Sequence, residues 1–452
     1  QSFAISSGSP ATGLSVSGPQ LIINPTSDFS TNTLVYVIIP ATGIVNSVGT
    51  VYGGLNNYFF RTIVDTFSAQ GGNEYVLQNG SSPTGYYKYH VFSTSGILTT
   101  SAPGQSAADL DMMIIAGGGG GGSMDDQAGP PTGGAGGGGG AGGYIALTHS
   151  NIVMSGGTYT VSIGSSGAGG AKSPSSGYMG TDGGETTITP PGSPTTYIYR
   201  AYGGGAGGGG PNPSQYNGNP GASGGGGSTP AVSPSSGTPT SGGTGLVGQG
   251  YDGGGGTNAQ ILKPPSNEKG RSAGGGGGAG GAGDAATSAN RYWGTSGTND
   301  NRNRGGAGGV GVVHPVFVGP VLTSSGIPAD RINQVGPTGL YGGGGGGSSC
   351  RTDLNWGGAG GSGIGGDGYT RSNQPDSDGQ LPNAPSTFTA GIAPSPPSSP
   401  NYPTTYQHQL DAKSFGSGGG GISQDAQPKS DIQNAGAGTP GIIMVRYETP
   451  AP

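Results

Sequence analysis

The feature that most restricts what this chain can become is its oligoglycine. The stretch Asp111–Ser150, DMMIIAGGGGGGSMDDQAGPPTGGAGGGGGAGGYIALTHS, sets six consecutive glycines directly after a strand-sized apolar run. Two runs, at 117–122 and 133–143, lie between expected strands; nine more lie at 203–210, 221–227, 253–256, 274–283, 305–311, 342–347, 357–366, 416–421 and 436–438. Glycine loses more backbone freedom on ordering than any other residue, so local propensity opposes any structure here. Its compensating property is the missing Cβ. Extended threefold helices of the polyproline II type rise about 3.1 Å per residue and make no internal hydrogen bonds. Every N–H and C=O then points outward and must find a partner. Packed side by side, such helices can supply those partners to one another, and only glycine permits contact on all sides. The runs are therefore expected to form polyglycine II helices in a hexagonal bundle, with alanine at the outer rows. Collagen is excluded, because GGGGGG has no X-Y positions. A flexible linker would not need eleven separate runs bracketed by strands.

Composition bounds the alternatives. The chain holds 107 Gly and 36 Pro, 143 of its 452 residues, a content usual for low-complexity sequence. Charged residues make up only 8%, against the high charge of typical disordered chains. The net charge of −6 comes with no Lys/Arg run, so nucleic-acid binding has no electrostatic footprint. Apolar runs such as Leu110–Ala116 are strand-sized, short of the ~20 residues of a membrane helix. The single Cys350 excludes an internal disulfide framework; it reads as a loop or core residue, or as a site of intermolecular crosslinking. The chain begins at Gln1 with no recognisable signal peptide, as a processed, trimmed or partial chain would.

The expected fold is mainly β, with essentially no α-helix. Residues 1–67 read as an Ig-like β module, incomplete at its start, with strands in LIINPTSDFSTNTLVYVIIPATG and NNYFFRTI. Residues 68–202 read as a β-sandwich carrying the first glycine runs. Its strands are expected in a hairpin over Tyr86–Thr100, then in Leu110–Ala116, Gly157–Gly164, Glu185–Thr189 and Thr195–Tyr202. Residues 203–440 read as a long insertion forming the polyglycine II bundle with variable loops, and 441–452 as a closing strand, GIIMVRYE, and tail.

Two resemblances bear on function. INPTSDFSTNTLVYVIIPATGIVNSVGTVYGGLNNYFFRT resembles the later strands of a bacterial Ig-like domain of the SbsA type. The order of YKYHVF (87–92), an apolar strand followed by glycines (112–122), and GIIMVRY (441–447) resembles the glycine-rich domain of phage virion proteins and the tip adhesins of phage tail fibres. That resemblance implies a β-domain followed by polyglycine II helices with variable loops at the distal end.

No chemistry of catalysis is legible. His90, His149, His314 and His408 are scattered without metal-ligand spacing. G-x-G-x-x-G occurs by composition alone, and GGAKS near Lys172 lacks the glycine that a phosphate loop needs. GASGG (221–225) matches a nucleophile elbow in letters, but sits in a glycine run with no helix to follow. Asp125 and Asp126 read as a solvated loop tip, with Ca²⁺ as the alternative. No enzyme activity, cofactor or metal is expected.

The segments between runs concentrate aromatics and arginines: Tyr292, Trp293, Arg302, Arg304, Arg351, Trp356, Tyr369, Arg371, Tyr402 and Tyr406, with Tyr216, Tyr251, Arg291 and Tyr341 besides. Such residues are enriched at binding hot spots, and loops on rigid scaffolds are where binding resides. The first ten are the candidate receptor-binding residues; the competing reading is that the rings cover the faces of the glycine slab. Two functions are expected to compete. One is a bacteriophage receptor-binding adhesin on the virion surface, touching a host glycan or protein. The other is a structural subunit of a capsid, tail decoration or extracellular fibre, oligomeric and assembled through the Ig-like end by β-strand addition. Neither nucleic acid nor membrane insertion enters these readings.

Overall fold

The computed structural model of the protein describes residues 14–17, 20–23, 34–39, 41, 48–50, 53–61, 67–78, 85–101, 110–124, 134–148, 151–152, 154, 156–171, 178–192, 196–210, 212–229, 239–260, 269–287, 304–350, 357–369, 411–423 and 434–449. The chain divides into two compact units. The first comprises residues 1–69, 100–108 and 154–156, and the second takes the rest.

In the first unit, β1 (Leu14–Ser17) pairs antiparallel with β2 (Gln20–Ile23), and β3 (Leu34–Ile39) with β4 (Leu55–Arg61). The β3–β4 register shifts between Val37 and Ile39. Tyr36 faces Phe59 across this pair, ring centroids 5.9 Å apart.

The second unit contains two five-stranded sheets. One runs β11 (Tyr144–Thr148), β9 (Asp111–Ile115), β21 (Ile442–Thr449), β7 (Tyr86–Phe92), β6 (Asn73–Gln78). The closing strand β21 thus lies between β7 and β9, pairing Ile443 with both Phe92 and Ile114. The three framing segments singled out in the sequence are neighbours in this one sheet. The other sheet runs β14 (Tyr199–Ala201), β13 (Thr186–Thr189), β12 (Gly157–Ser162), β8 (Gly96–Thr100), β5 (Ala69–Gln70). The Tyr86–Thr100 segment is therefore not a hairpin. Ser93–Ser95 turn a corner, and β7 and β8 join different sheets. A two-residue apolar period does not distinguish a strand that pairs with its predecessor from one that crosses to the facing sheet.

Strand alternation gives the first sheet two apolar faces. Met112, Ile114, Ile443 and Val445 are fully buried on one, as are Leu98, Tyr159, Val161 and Ile188 of the second sheet. The opposite face carries Tyr87, Tyr89, Val91, Met113, Ile115, Ile442 and Met444, packed against Phe317, Leu322, Ile327, Val335 and Tyr341. These last residues belong to a segment framed by the antiparallel pair β17 (Val312–Val313) and β18 (Leu340–Tyr341), with α1 (Gly319–Leu322) and α2 (Ala329–Val335) between them. Among the described residues α-helix is confined to these two short elements, within the mainly β fold expected. The two turns are too short for amphipathic periodicity to register in the sequence. Their role is to cover apolar sheet surface. Tyr341, grouped with the loop aromatics from sequence, is a core residue: fully buried, with its hydroxyl donating to the Phe317 carbonyl at 2.6 Å.

The glycine runs form a hydrogen-bonded lattice. Along 117–122, successive N–H groups donate in turn to three neighbours and then repeat. Gly117 and Gly120 donate to Gly184 and Thr181, Gly118 and Gly121 to Thr439 and Gly436, Gly119 and Gly122 to Gly140 and Gly137. Their carbonyls accept with the same period of three. Gly117 and Gly120 accept from Gly204 and Gly207, Gly118 and Gly121 from Gly167 and Gly170, Gly119 and Gly122 from Gly419 and Ile422. One rod thus has six hydrogen-bonded neighbours, with bonds of 2.8–3.0 Å. This is the threefold, hexagonally packed arrangement expected of polyglycine II. A Cβ on Gly118 would run into the Ser417 carbonyl, one on Gly119 into that of Gly205, and one on Gly120 into that of Ala168.

Two expectations about the bundle change. It is not confined to 203–440, because 117–122, 134–143, 164–171 and 178–184 are rods of the same lattice. Nor is alanine restricted to outer rows, since Ala141, Ala206 and Ala222 are fully buried. A methyl is admitted where the facing residue withdraws. Ala141 and Ala279 converge on Gly342, where an added Cβ would come within 2.9 Å of the Ala279 methyl.

Candidate functional site

Hydrogen-bond register fixes the direction of each rod. Runs 117–122, 164–171, 203–209, 221–229, 250–256, 342–348 and 416–422 lead away from the sheets; 134–143, 178–184, 239–246, 273–279, 304–311 and 434–440 lead back. At the sheet-proximal end the connections are the tight turns 246–249, 279–282 and 361–364, together with the helical cover 312–340. At the far end, segments 125–133, 172–177, 230–238, 261–268, 288–303, 351–356 and 424–433 are flanked by described residues on both sides. Segment 370–410 departs from the same end at Tyr369, and the chain rejoins the bundle at Asp411 beside Ala437.

The far end is built as a layer of short bridges. β10 (Ser123–Met124) pairs in parallel with β20 (Ile422–Ser423). β15 (Thr257–Gln260), β16 (Lys269–Ser272) and β19 (Ser349–Cys350) form a three-stranded sheet. Single bridges join Ala135 to Thr229, Ala171 to Asn434, Thr240 to Gly256 and Thr287 to Arg304. Hydroxyl side chains tie these pieces together. Ser123 Oγ donates to the Ala171 carbonyl at 2.8 Å and accepts from the Tyr178 N–H at 3.0 Å. Ser348 Oγ donates to the Gly136 carbonyl at 3.0 Å and accepts from the Gly136 N–H at 2.8 Å. Thr229 Oγ1 donates to the Ser272 carbonyl at 2.7 Å, and Ser423 Oγ to that of Ser349 at 2.9 Å. A lattice that stops leaves its last peptide groups without rods to bond, and a short hydroxyl replaces the missing partner in the same volume. The signal was legible in the sequence: Ser123, Ser228–Thr229, Ser348 and Ser423 all stand at or beside the ends of glycine runs.

Aspartates do the same along the sides of the bundle. Asp182 Oδ1 accepts from the Ala206 N–H at 2.7 Å and from Asn219 Nδ2 at 3.0 Å. Asp252, Asp367 and Asp411 accept from the N–H groups of Gly245, Gly360 and Ala437 at 2.7, 2.7 and 2.9 Å. Burial pushes the Asp367 carboxyl up, opposed by the Lys413 charge and the Gly360 N–H. Burial likewise raises the phenol of Tyr216, and the backbone carbonyl of Tyr216 accepts from Ser228 Oγ at 3.0 Å at the far end.

Of the candidate receptor-binding residues, two are described. Arg304 is exposed in the bridge to Thr287, directly beside the 288–303 segment. Tyr369 is half-buried, packs against Ile422 and Ala435, and donates its N–H to the Gly421 carbonyl at 3.0 Å, so its ring covers the bundle. Tyr292, Trp293, Arg302, Arg351, Trp356, Arg371, Tyr402 and Tyr406 lie outside the described residues, as do Asp125 and Asp126. All eight candidates belong to 288–303, 351–356 or 370–410, segments that depart from the far end. Tyr251 sits at the opposite, sheet-proximal end.

GASGG is lattice: Gly224 and Gly225 donate to Tyr251 and Asn219, and Ser223 is fully buried. Among the described residues no three His, Cys, Asp or Glu side chains are placed to hold a metal ion. Among them, too, no helix is long and apolar enough to cross a membrane.

No curated protein matches the chain. A family model described as a glycine-rich domain matches residues 93–365, more than half of the chain, from the corner between β7 and β8 through the rod turn at 361–364. On that match, and with a lattice of the kind such a sequence requires, the chain belongs to the glycine-rich domain family.

Proposed function

We propose that the protein is a non-enzymatic virion surface protein, a bacteriophage fibre or appendage adhesin of the kind its framing strands resemble. It presents variable segments on a stiff polyglycine scaffold to a host cell-surface glycan or protein. The observation that carries this reading is the one-sided topology. The connections at the sheet end are the tight turns 246–249, 279–282 and 361–364 and the packed cover 312–340, while eight segments leave described residues at the far end. Both tryptophans and most of the loop arginines fall in those segments. Rigid presentation of adaptable loops is a common physical design for recognition.

The test is location combined with adsorption. Gold-labelled antibody against residues 284–304 is expected at fibre or tail tips of intact particles, and the same antibody is expected to block attachment to host cells. Gold spread evenly over a capsid or along a filament would refute the adhesin reading.

One observation favours a second reading, a structural subunit assembled through its N-terminal unit. The β3–β4 pair leaves Tyr36, Ile38, Tyr58 and Phe59 more than half exposed. A strand or face from another subunit, completing an Ig-like module, would cover them. In that case, truncating residues 1–67 would abolish oligomers.

A further inference from the structure

At its sheet-proximal end the molecule exposes a group of tyrosine rings. There, turn 245–252 and turn 279–282 line an open cleft of about 450 Å³. Its walls include Tyr144, Gln249, Tyr251 and Asp252, with Ala279 and Ala282. Gln249 ties this cleft to the neighbouring β14 region. Its Oε1 accepts from the Tyr202 N–H at 2.9 Å, and its Nε2 donates to the Arg200 carbonyl at 2.9 Å. Beyond it, Arg200 lies between the rings of Tyr197 and Tyr202, 5.0 and 4.3 Å from their centroids. Glu185 holds the guanidinium with two bonds, at 3.0 and 2.5 Å.

Tyr197, Tyr202 and Tyr251 are 41, 37 and 49% exposed. Arg200 packs on the first two rings, which stay part-exposed. Ordering exposed rings in advance lowers the entropy cost of binding something to them.

We infer that this cleft and the tyrosine row beside it bind a neutral oligosaccharide. The rings offer electron-rich faces suited to the C–H face of a pyranose. Asp252 is anchored by Gly245 through Oδ1, and its second oxygen takes no bond among the described residues, leaving an acceptor for sugar hydroxyls. The volume lies in the lower part of the range for small-molecule sites. Neutrality follows from the charges: the lining contains a carboxylate and no Lys, Arg or His, and the row's one cation is already paired with Glu185. A sialylated or phosphorylated glycan would meet Asp252 as a like charge. The site is distinct from the far-end segments and does not depend on the adhesin reading.

Saturation-transfer NMR and calorimetry on the full chain would test this, with maltotriose, cellotriose, chitotriose and lactose as neutral probes and sialyllactose as the charged one. At least one neutral probe is expected to bind. Tyr251→Ala and Asp252→Asn are each expected to weaken it about tenfold or more. Asparagine retains the oxygen that Gly245 needs, so unchanged thermal melting separates loss of ligand from loss of fold. The double variant Trp293→Ala/Trp356→Ala is expected to bind as the parent does. Binding of no neutral probe, a preference for sialyllactose, or binding unaffected by both cleft substitutions would overturn the inference. Binding lost only in the double tryptophan variant would place the sugar at the far end, supporting the adhesin reading and rejecting the cleft. Retention of a protein ligand at Tyr251 without any saccharide binding would make the row a protein interface and overturn the assignment.

Discussion

At the scale of single residues, the decisive quantity is the space around a missing Cβ. Gly119 donates to Gly140, accepts from Gly419, and would drive a methyl into the Gly205 carbonyl. Gly119→Ala must therefore displace backbone rather than a side chain. We expect a loss of about 1–3 kcal/mol or more, measured by thermal or denaturant unfolding. Ser166→Ala, exposed on the outer side of rod 164–171, is expected to change stability by less than about 0.5 kcal/mol. His314 carries a second residue-scale prediction. Its Nδ1 accepts from the Val316 and Phe317 N–H groups at 3.2 and 3.3 Å, which requires that nitrogen to be unprotonated. Burial, opposed by the Asp111 charge and aided by that of Arg446, holds its pKa down at about 4, below the usual imidazole range. The folded state therefore prefers neutral His314. Its contribution to stability is full above about pH 6.5 and is lost as pH falls toward 4. The difference in melting temperature between the parent and His314→Gln should accordingly shrink across that window; a constant difference would refute the role.

At the scale of elements, the rods depend on one another and the sheets depend on the last strand. Each rod makes no internal hydrogen bond, so it has no structure apart from its neighbours. Amide exchange along 117–122 and 136–142 should therefore be slow and lost together on unfolding, like one cooperative unit. Rapid exchange of these glycines would refute the lattice. Ser348→Ala leaves the N–H and C=O of Gly136 without the hydroxyl that serves both, and should cost about 1–3 kcal/mol. Removal of 441–452 deletes the strand between β7 and β9 and exposes Met113, Ile114 and their neighbours. The truncated chain is expected to lose cooperative melting altogether.

At the scale of the molecule, the separation of ends is what matters for function. Replacing 288–303 by a short Gly-Ser linker should leave melting within a few degrees of the parent. It should also abolish host attachment, if the far end is where the receptor is met. A large drop in stability would show instead that the segment belongs to the fold.

The sequence by itself determined that the runs had to be ordered as threefold rods bonded to one another. A backbone group buried without a partner is too costly, and packed threefold rods without Cβ atoms let oligoglycine satisfy every one of its groups. It also specified the framing strands, because their apolar alternation is local. Several features became visible only in three dimensions. Rods 117–122 and 203–209 belong to one lattice, β7 and β8 part into different sheets, and 312–340 folds into a helical cover. The described residues that flank the intervening segments lie at one end because the tight turns 246–249, 279–282 and 361–364 fall at the other. Each of these depends on the parity and register of successive rods. A run of identical glycines carries no local mark of its direction or its neighbours, so only the closed set of hydrogen bonds in the tertiary structure decides them.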